Sequence, residues 1–169
     1  VKQTDLKQIL SEFAAGRLSL LERHEAAARV VSHYDFNNTY QYVINREETH
    51  LTWLSAALAE IGGTAPASAG AATIPPIPAG RGKTPDPAAF RAVLEEEARL
   101  LGVFVAKWRA RVDAMTHARH RIMLNVILGE SREHQRLFEQ AAAGFEDVLG
   151  RRTADAERRG SVLPDRWME

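Results

Sequence analysis

Glu47 and His50 lie one helical turn apart on what reads as the apolar face of a long helix. Taken at every third or fourth residue, that face runs Tyr40, Val43, Glu47, His50, Leu54, Leu58, Ile61, so a carboxylate and an imidazole stand where apolar side chains are expected. Two chemistries tolerate them there. One is ligation of a metal ion by oxygen and imidazole donors, a set that suits Fe, Mn or Zn. The other is a metal-free network in which His50, His134 and arginines satisfy the carboxylates, because an uncompensated buried carboxylate costs several kcal/mol.

The same interruption recurs along the chain. Glu97 breaks the apolar seam Phe90, Leu94, Leu101, Phe104, Trp108, Val112, Met115. Glu130 and Glu133, with His134 at the border, break a seam read as Met123, Val126, Leu137, Ala141, Phe145. His24 lies on a stripe with Leu20, Ala27, Val31 and Tyr34, and Glu25 is its neighbour. For His24 and Glu25 the reading stays open between a ligand and a hydrogen-bonded core group.

The elements that must position these groups follow from punctuation and period. Thr4 to Ala14 reads as a short helix stopped by Gly16, and Ser19 with Glu22 as the capping box of the next, about Leu20 to Phe36. Asn37-Asn38 reads as a turn. The helix of Glu47 and His50 runs from about Thr39 to Ile61 and stops at Gly62-Gly63. Residues 62–87 are Ala/Gly/Pro-rich without period, and Asp86-Pro87 opens a helix to about Met115. Thr116 is expected to cap a last long helix reaching about Leu149, and residues 151–169 form a charged tail. The expected architecture is therefore all-α: a four-helix bundle over residues 1–150, preceded by a short N-terminal helix. One long crossover, 62–87, joins the second and third bundle helices, and such a crossover separates ferritin-like bundles from simple up-down ones.

In that topology the second and third helices run parallel, and Glu47 and Glu97 both fall roughly 15 Å from their starts. Glu130 and Glu133 reach a similar depth from the other end, to within about one turn. Acidic and histidyl side chains from separate helices thus share a layer.

This arrangement resembles the ferritin-like superfamily, in particular rubrerythrin-type and bacterioferritin-type di-metal carboxylate bundles. Those take one Glu from each of two helices and Glu-x-x-His from each of the other two. Glu47-Glu48-Thr49-His50 matches one Glu-x-x-His, and Glu97 matches a lone Glu. Glu130-Ser131-Arg132-Glu133-His134 departs from the pattern by one residue, and on the first helix Glu25 has the right height while His24 points along the stripe. The resemblance implies a metal site of Glu25, Glu47, His50, Glu97, Glu130, Glu133 and His134. Glu47 and Glu130 (or Glu133) would bridge two ions, Glu25 and Glu97 would bind terminally, and His50 and His134 would complete the sphere. It implies an Fe or Mn oxidase or peroxidase, with Zn the lesser choice. A non-catalytic bundle with a vestigial polar core, acting as an interaction module, is the alternative. A third reading is a DinB-like bundle holding one Zn or Ni through His50, His134 and Glu130.

Composition narrows the partners. Lys plus Arg and Asp plus Glu are both 22 in 169 residues, so no basic field exists to hold nucleic acid. No apolar run is long enough to cross a membrane. The chain has no cysteine, which removes thiolate metal sites and disulfides. A metal ion is the expected partner and a second copy of the chain the oligomeric one left open. No leader is seen and a cytoplasmic location is expected, although the chain begins at Val1 and not Met.

Overall fold

The computed structural model describes residues 3–150 apart from 69, 71 and 79–85, so the tail 151–169 lies outside the described residues. Four long helices carry the fold: α1 (Gln3–Val30), α2 (Tyr34–Glu60), α3 (Arg91–Asp113) and α4 (Ala118–Ala142), with a single 3-10 turn, Pro87–Phe90, leading into α3. The expected four-helix bundle is what forms. None of its helices is long and apolar enough to cross a membrane, among the described residues.

α1 and α2 pack as one antiparallel hairpin and α3 and α4 as another, with α1 also against α3 and α2 against α4. Ion pairs pin the ends. Arg111 near the end of α3 meets Glu12 near the start of α1 at 2.8 Å, and Arg119 at the start of α4 grips Glu60 at the end of α2 with two bonds of 2.9 Å. These contacts make α2 and α3 parallel, so the chain between them must travel the length of the bundle. The crossover does so with Ile74 and Ile77 packed on the core. The connectivity is compatible with a ferritin-like fold.

The predicted punctuation holds at two helix ends. After α2, Gly62 adopts φ 70°, its N–H donates to Ala59 O, and Gly63 N–H donates to Leu58 O at 2.8 Å. That six-to-one and five-to-two pairing is a Schellman cap. Before α3, the Asp86 side chain accepts from Ala88 N–H at 2.9 Å and Pro87 follows it.

Three expectations are corrected. The short N-terminal helix is not separate, because α1 runs unbroken through Gly16 and the Ser19–Glu22 pair lies in mid-helix. Gly16 serves close packing: a Cβ there would sit 3.2 Å from Phe104 Cε2. The helix-propensity cost of about 1 kcal/mol is offset by the ring cluster this approach allows, with Phe13 at 5.0 Å from both Phe104 and Trp108. The first hairpin turns at residues 31–33, and Asn37 lies inside α2. Its side chain still caps, donating back to the carbonyls of Ala28 at 2.7 Å and Val31 at 3.1 Å.

The third correction concerns α4. It stops at Ala142 because Gly144, at φ 96°, closes a second Schellman cap in which Phe145 N–H donates to Gln140 O. Its buried stripe is Leu124, Ile127, Leu128, Ser131, His134, Leu137, Phe138, Ala141. Up to His134 it is rotated by about one residue, some 100°, from the predicted seam, which leaves Val126 exposed; Leu137 and Ala141 face inward as predicted, and Phe145, past the end of the helix, is exposed.

Candidate functional site

The polar core is assembled from all four helices. Arg17 and His24 on α1, Glu47 and His50 on α2, Glu97 on α3, and Ser131 and His134 on α4 are buried between the apolar layers. On α1, Leu10, Arg17 and His24 recur every seven residues on the inner face, with Val31 just past its end, so the helix itself puts Arg17 and His24 two turns apart toward α2.

Glu47 lies between them. Arg17 Nη1 donates to its Oε1 at 2.5 Å, and His24 Nδ1 donates to its Oε2 at 2.8 Å. Arg17 Nη2 donates to Ser131 Oγ, which in turn donates to the carbonyl of Ile127 at 2.6 Å. The guanidinium also stacks on the Phe104 ring, with Cζ 4.5 Å from its centroid. One side chain from α1 therefore touches α2, α3 and α4. Burial alone would raise the Glu47 carboxyl, but His24 and Arg17 outweigh it and hold the group at about 2. Glu47 is thus an acceptor only, which places a proton on His24 Nδ1.

Glu97 lies on the other side of His24. Arg23 Nε donates to its Oε2 at 2.8 Å while Arg23 Nη1 donates to the crossover carbonyl of Thr73 at 2.6 Å. His24 Nε2 is 3.6 Å from Glu97 Oε2, too long for a hydrogen bond, and Glu97 Oε1 has no partner. Here burial wins over His24 and Arg23, and the carboxyl is raised. Tyr40, whose hydroxyl is buried without a partner, is pushed well above the usual phenol range by burial.

The third carboxylate sits at the margin. Glu130 accepts two bonds from Arg46, at 2.9 and 2.7 Å, and one from His50 Nε2 at 2.9 Å. These outweigh its partial burial and lower it. His50 Nδ1 and His134 Nδ1 are sealed from solvent without partners, and the two rings stack at 6.3 Å. Burial keeps both imidazoles neutral, lowering His50 and bringing His134 down to about 4.

Of the residues expected from the sequence, Glu47, His50, Glu97 and His134 are brought into the core, and Glu130 reaches its edge. Glu25 and Glu133 are not. Each lies on the bundle surface beside an arginine of its own helix, Glu25 by Arg29 and Glu133 by Arg136. His24 takes the inward place that Glu25 does not. Sequence reasoning missed Arg17 and Ser131. Reading Gly16 as a stop concealed the seven-residue step from Leu10 to Arg17 to His24. Ser131 is the residue three before His134, so at Glu-x-x-His spacing a serine stands where the second bridging carboxylate would be.

Donor chemistry alone would suit a metal, but charge does not. Glu47 is matched by Arg17, Glu97 by Arg23 and Glu130 by Arg46, one guanidinium to each carboxylate. The residues present therefore do not fit a dinuclear carboxylate centre, which needs surplus negative charge. Among the described residues, the group of three donors drawn within 4.8 Å of one another lies elsewhere: His33 in the first turn, Asp35 in the opening turn of α2 and Glu146 just past α4. A His/Asp/Glu group at that end of the bundle is compatible with metal binding.

Fold and site together define an all-α bundle with a buried carboxylate–histidine–arginine network. The chain matches no model of a known family, no curated protein and no solved structure.

Proposed function

We propose that this chain is a ferritin-like bundle whose core works without a metal, as a helical scaffold or binding module and not as a di-metal oxidase or peroxidase. The observation that carries this reading is Arg17, whose side chain has 0% exposure and bonds both Glu47 and Ser131. An arginine remains charged under all ordinary conditions. A divalent ion beside it would place like charges in a sealed interior, where their repulsion is strong. Iron or manganese bridged by Glu47 and Glu130 would first have to displace Arg17 and Arg46 from those carboxylates.

The test is elemental analysis of protein produced with Fe(II) and Mn(II) present, on wild type and on Glu47→Gln with Glu97→Gln. The scaffold reading expects no transition metal in the core, unchanged melting on chelation, and variants that differ in stability alone. Stoichiometric iron or manganese that disappears in the double variant would restore the oxidase reading.

A second reading is favoured by the group His33, Asp35 and Glu146, whose one nitrogen and two oxygen donors suit Mn, Fe or Zn. In this reading a single ion ties the first turn to the segment after α4. Metal uptake that is insensitive to Glu47→Gln and abolished by His33→Ala is its signature.

A further inference from the structure

We propose that His117 and His120, at the start of α4, chelate one divalent ion of tetragonal preference, Cu(II) first, through their facing Nδ1 atoms. The site is separate from the core and from the group of His33, Asp35 and Glu146, and it does not rest on the reading of either.

The two histidines are three residues apart, about one turn, so their side chains share a face of α4. His117 is the N-cap residue, yet its side chain makes no capping bond, and the first turn holds no acidic residue. Histidine is a poor choice there, because Ser, Thr, Asp or Asn would satisfy a free N–H of the first turn. The ring is turned onto His120 instead. Nδ1 meets Nδ1 at 2.8 Å, with the ring centres 4.3 Å apart and the planes inclined by 53°.

Two arrangements bring the nitrogens this close. In a straight N–H to N hydrogen bond each ring centre lies directly behind its nitrogen, and the centres stand about 5 Å apart. In the other, the two lone pairs converge on a point beside both. Imidazole nitrogens bind first-row ions at about 2 Å, so two of them at a right angle stand about 2.8 Å apart with ring centres about 4.4 Å apart. The observed 4.3 Å is that of convergence, and a proton shared between the rings is held in a bent bond. A right angle between donors is the geometry of Cu(II) or Ni(II), whereas tetrahedral Zn would hold them about 3.3 Å apart.

The surroundings fix one ligand and open the other. His120 is 4% exposed, while His117 faces solvent, so water can complete the coordination sphere on that side. The His117 backbone is held by Arg121 N–H on its carbonyl at 3.0 Å, and Arg121 Nη1 reaches the Met115 carbonyl at 3.1 Å. Donors already at ligand spacing lose little freedom when the ion arrives. Arg119 stands between the histidines in sequence, but Glu60 holds both of its Nη atoms at 2.9 Å and counters its charge.

Cu(II), added to the untagged chain at pH 7, is the probe. Calorimetric titration is expected to show one ion per chain that these residues govern, and its EPR spectrum to carry superhyperfine splitting from two nitrogen donors. His117→Ala and His120→Asn should each weaken binding by about a hundredfold, the scale on which two tethered contacts outdo one, and the double variant should bind no more weakly than either. His33→Ala and Glu47→Gln should leave this binding in place. Circular dichroism without metal separates a lost ligand from a lost fold, and if His120→Asn does not fold, His117→Ala on its exposed side chain decides alone. No uptake at micromolar Cu(II) overturns the proposal and leaves two rings sharing a proton. So does uptake that His117→Ala leaves unchanged, or a spectrum with one nitrogen donor. Uptake that vanishes in Glu47→Gln instead overturns it together with the metal-independent reading of the core.

Discussion

Arg17 and Ser131 lie 114 residues apart and meet across the diagonal of the bundle, the guanidinium donating to the hydroxyl. This contact links the two hairpins near their centre, with the Arg119–Glu60 pair at one end of the bundle. Its companion bond to Glu47 makes Arg17 the group on which both hairpins converge.

Removing only that cation should be severe. Arg17→Met leaves Glu47 charged in a dry interior and is expected to cost about 3–5 kcal/mol in urea denaturation. Pairing it with Glu47→Leu removes both charges and should recover most of the loss, since a buried ion pair is often replaceable by apolar side chains. A double variant as unstable as the single one would show that shape, and not charge, dominates here.

Glu47 and Glu97 should respond in opposite ways to the same change. Glu47 is held low at about 2 and ionised, so Glu47→Gln strands Arg17 and should cost several kcal/mol at pH 7. Glu97 is raised, meaning its ionised form is the disfavoured one in the fold. Glu97→Gln keeps the shape and is expected to be neutral within about 1 kcal/mol or mildly stabilising. Chemical denaturation of the two variants side by side is the measurement.

Acid should weaken the fold in two steps. His134 moves from 6.5 in the unfolded chain to about 4 in the fold. Between those values the unfolded chain binds the extra proton, so stability present above pH 6.5 is lost as pH falls toward 4. The limit is roughly 3 kcal/mol. Glu47, depressed from 4.5 to about 2, contributes stability that is present above pH 4.5 and lost below it, again up to about 3 kcal/mol. Urea midpoints from pH 8 to 3 should show the upper step and the onset of the lower one, and His134→Gln should shrink the upper step, to which the lowered His50 also contributes, and leave the lower one in place.

Gly16 offers a packing test. A Cβ at 3.2 Å from the Phe104 ring asks the ring to yield by a few tenths of an ångström. Gly16→Ala gains helix propensity of about 1 kcal/mol and should change stability little in thermal melts. Gly16→Leu cannot fit without moving Phe104 and Trp108 and is expected to cost about 1–3 kcal/mol.

How far the sequence carried the reading depended on each helix having clean ends. From Tyr40 to Leu58 on α2 and from Leu94 to Val112 on α3, each residue read as inward is buried, because Gly62 and Asp86-Pro87 fix where those periods stop and start. The opening turn of α2, with Asp35, Phe36 and Thr39, was not read as part of that face. On α4 the apolar residues Met123 and Val126 compete with Leu124, Ile127 and Leu128 for the inner face, and only packing decides between stripes one residue apart. That one-residue rotation is why Glu133 appeared to face inward and Ser131 did not. Gly16 reads as a stop in any local rule, and its real cause, the approach of Phe104, is a contact 88 positions away that no local period contains. The acidic layer was visible and arginines were read as one way to satisfy it, but Arg17, Arg23 and Arg46 could not be singled out, since a long cation on a helix is ordinarily a surface residue.

Arg23 joins the crossover to this interior, with one nitrogen on the Thr73 carbonyl and another on Glu97. The strap between the hairpins is therefore wired, through Arg23, to a proton-binding group of the core. Cutting the chain near Thr73 would loosen the hold on Arg23, leave Glu97 with one fewer counter-charge, and push its carboxyl further toward the protonated form. Limited proteolysis outside the bundle would then be recorded as a change of protonation within it.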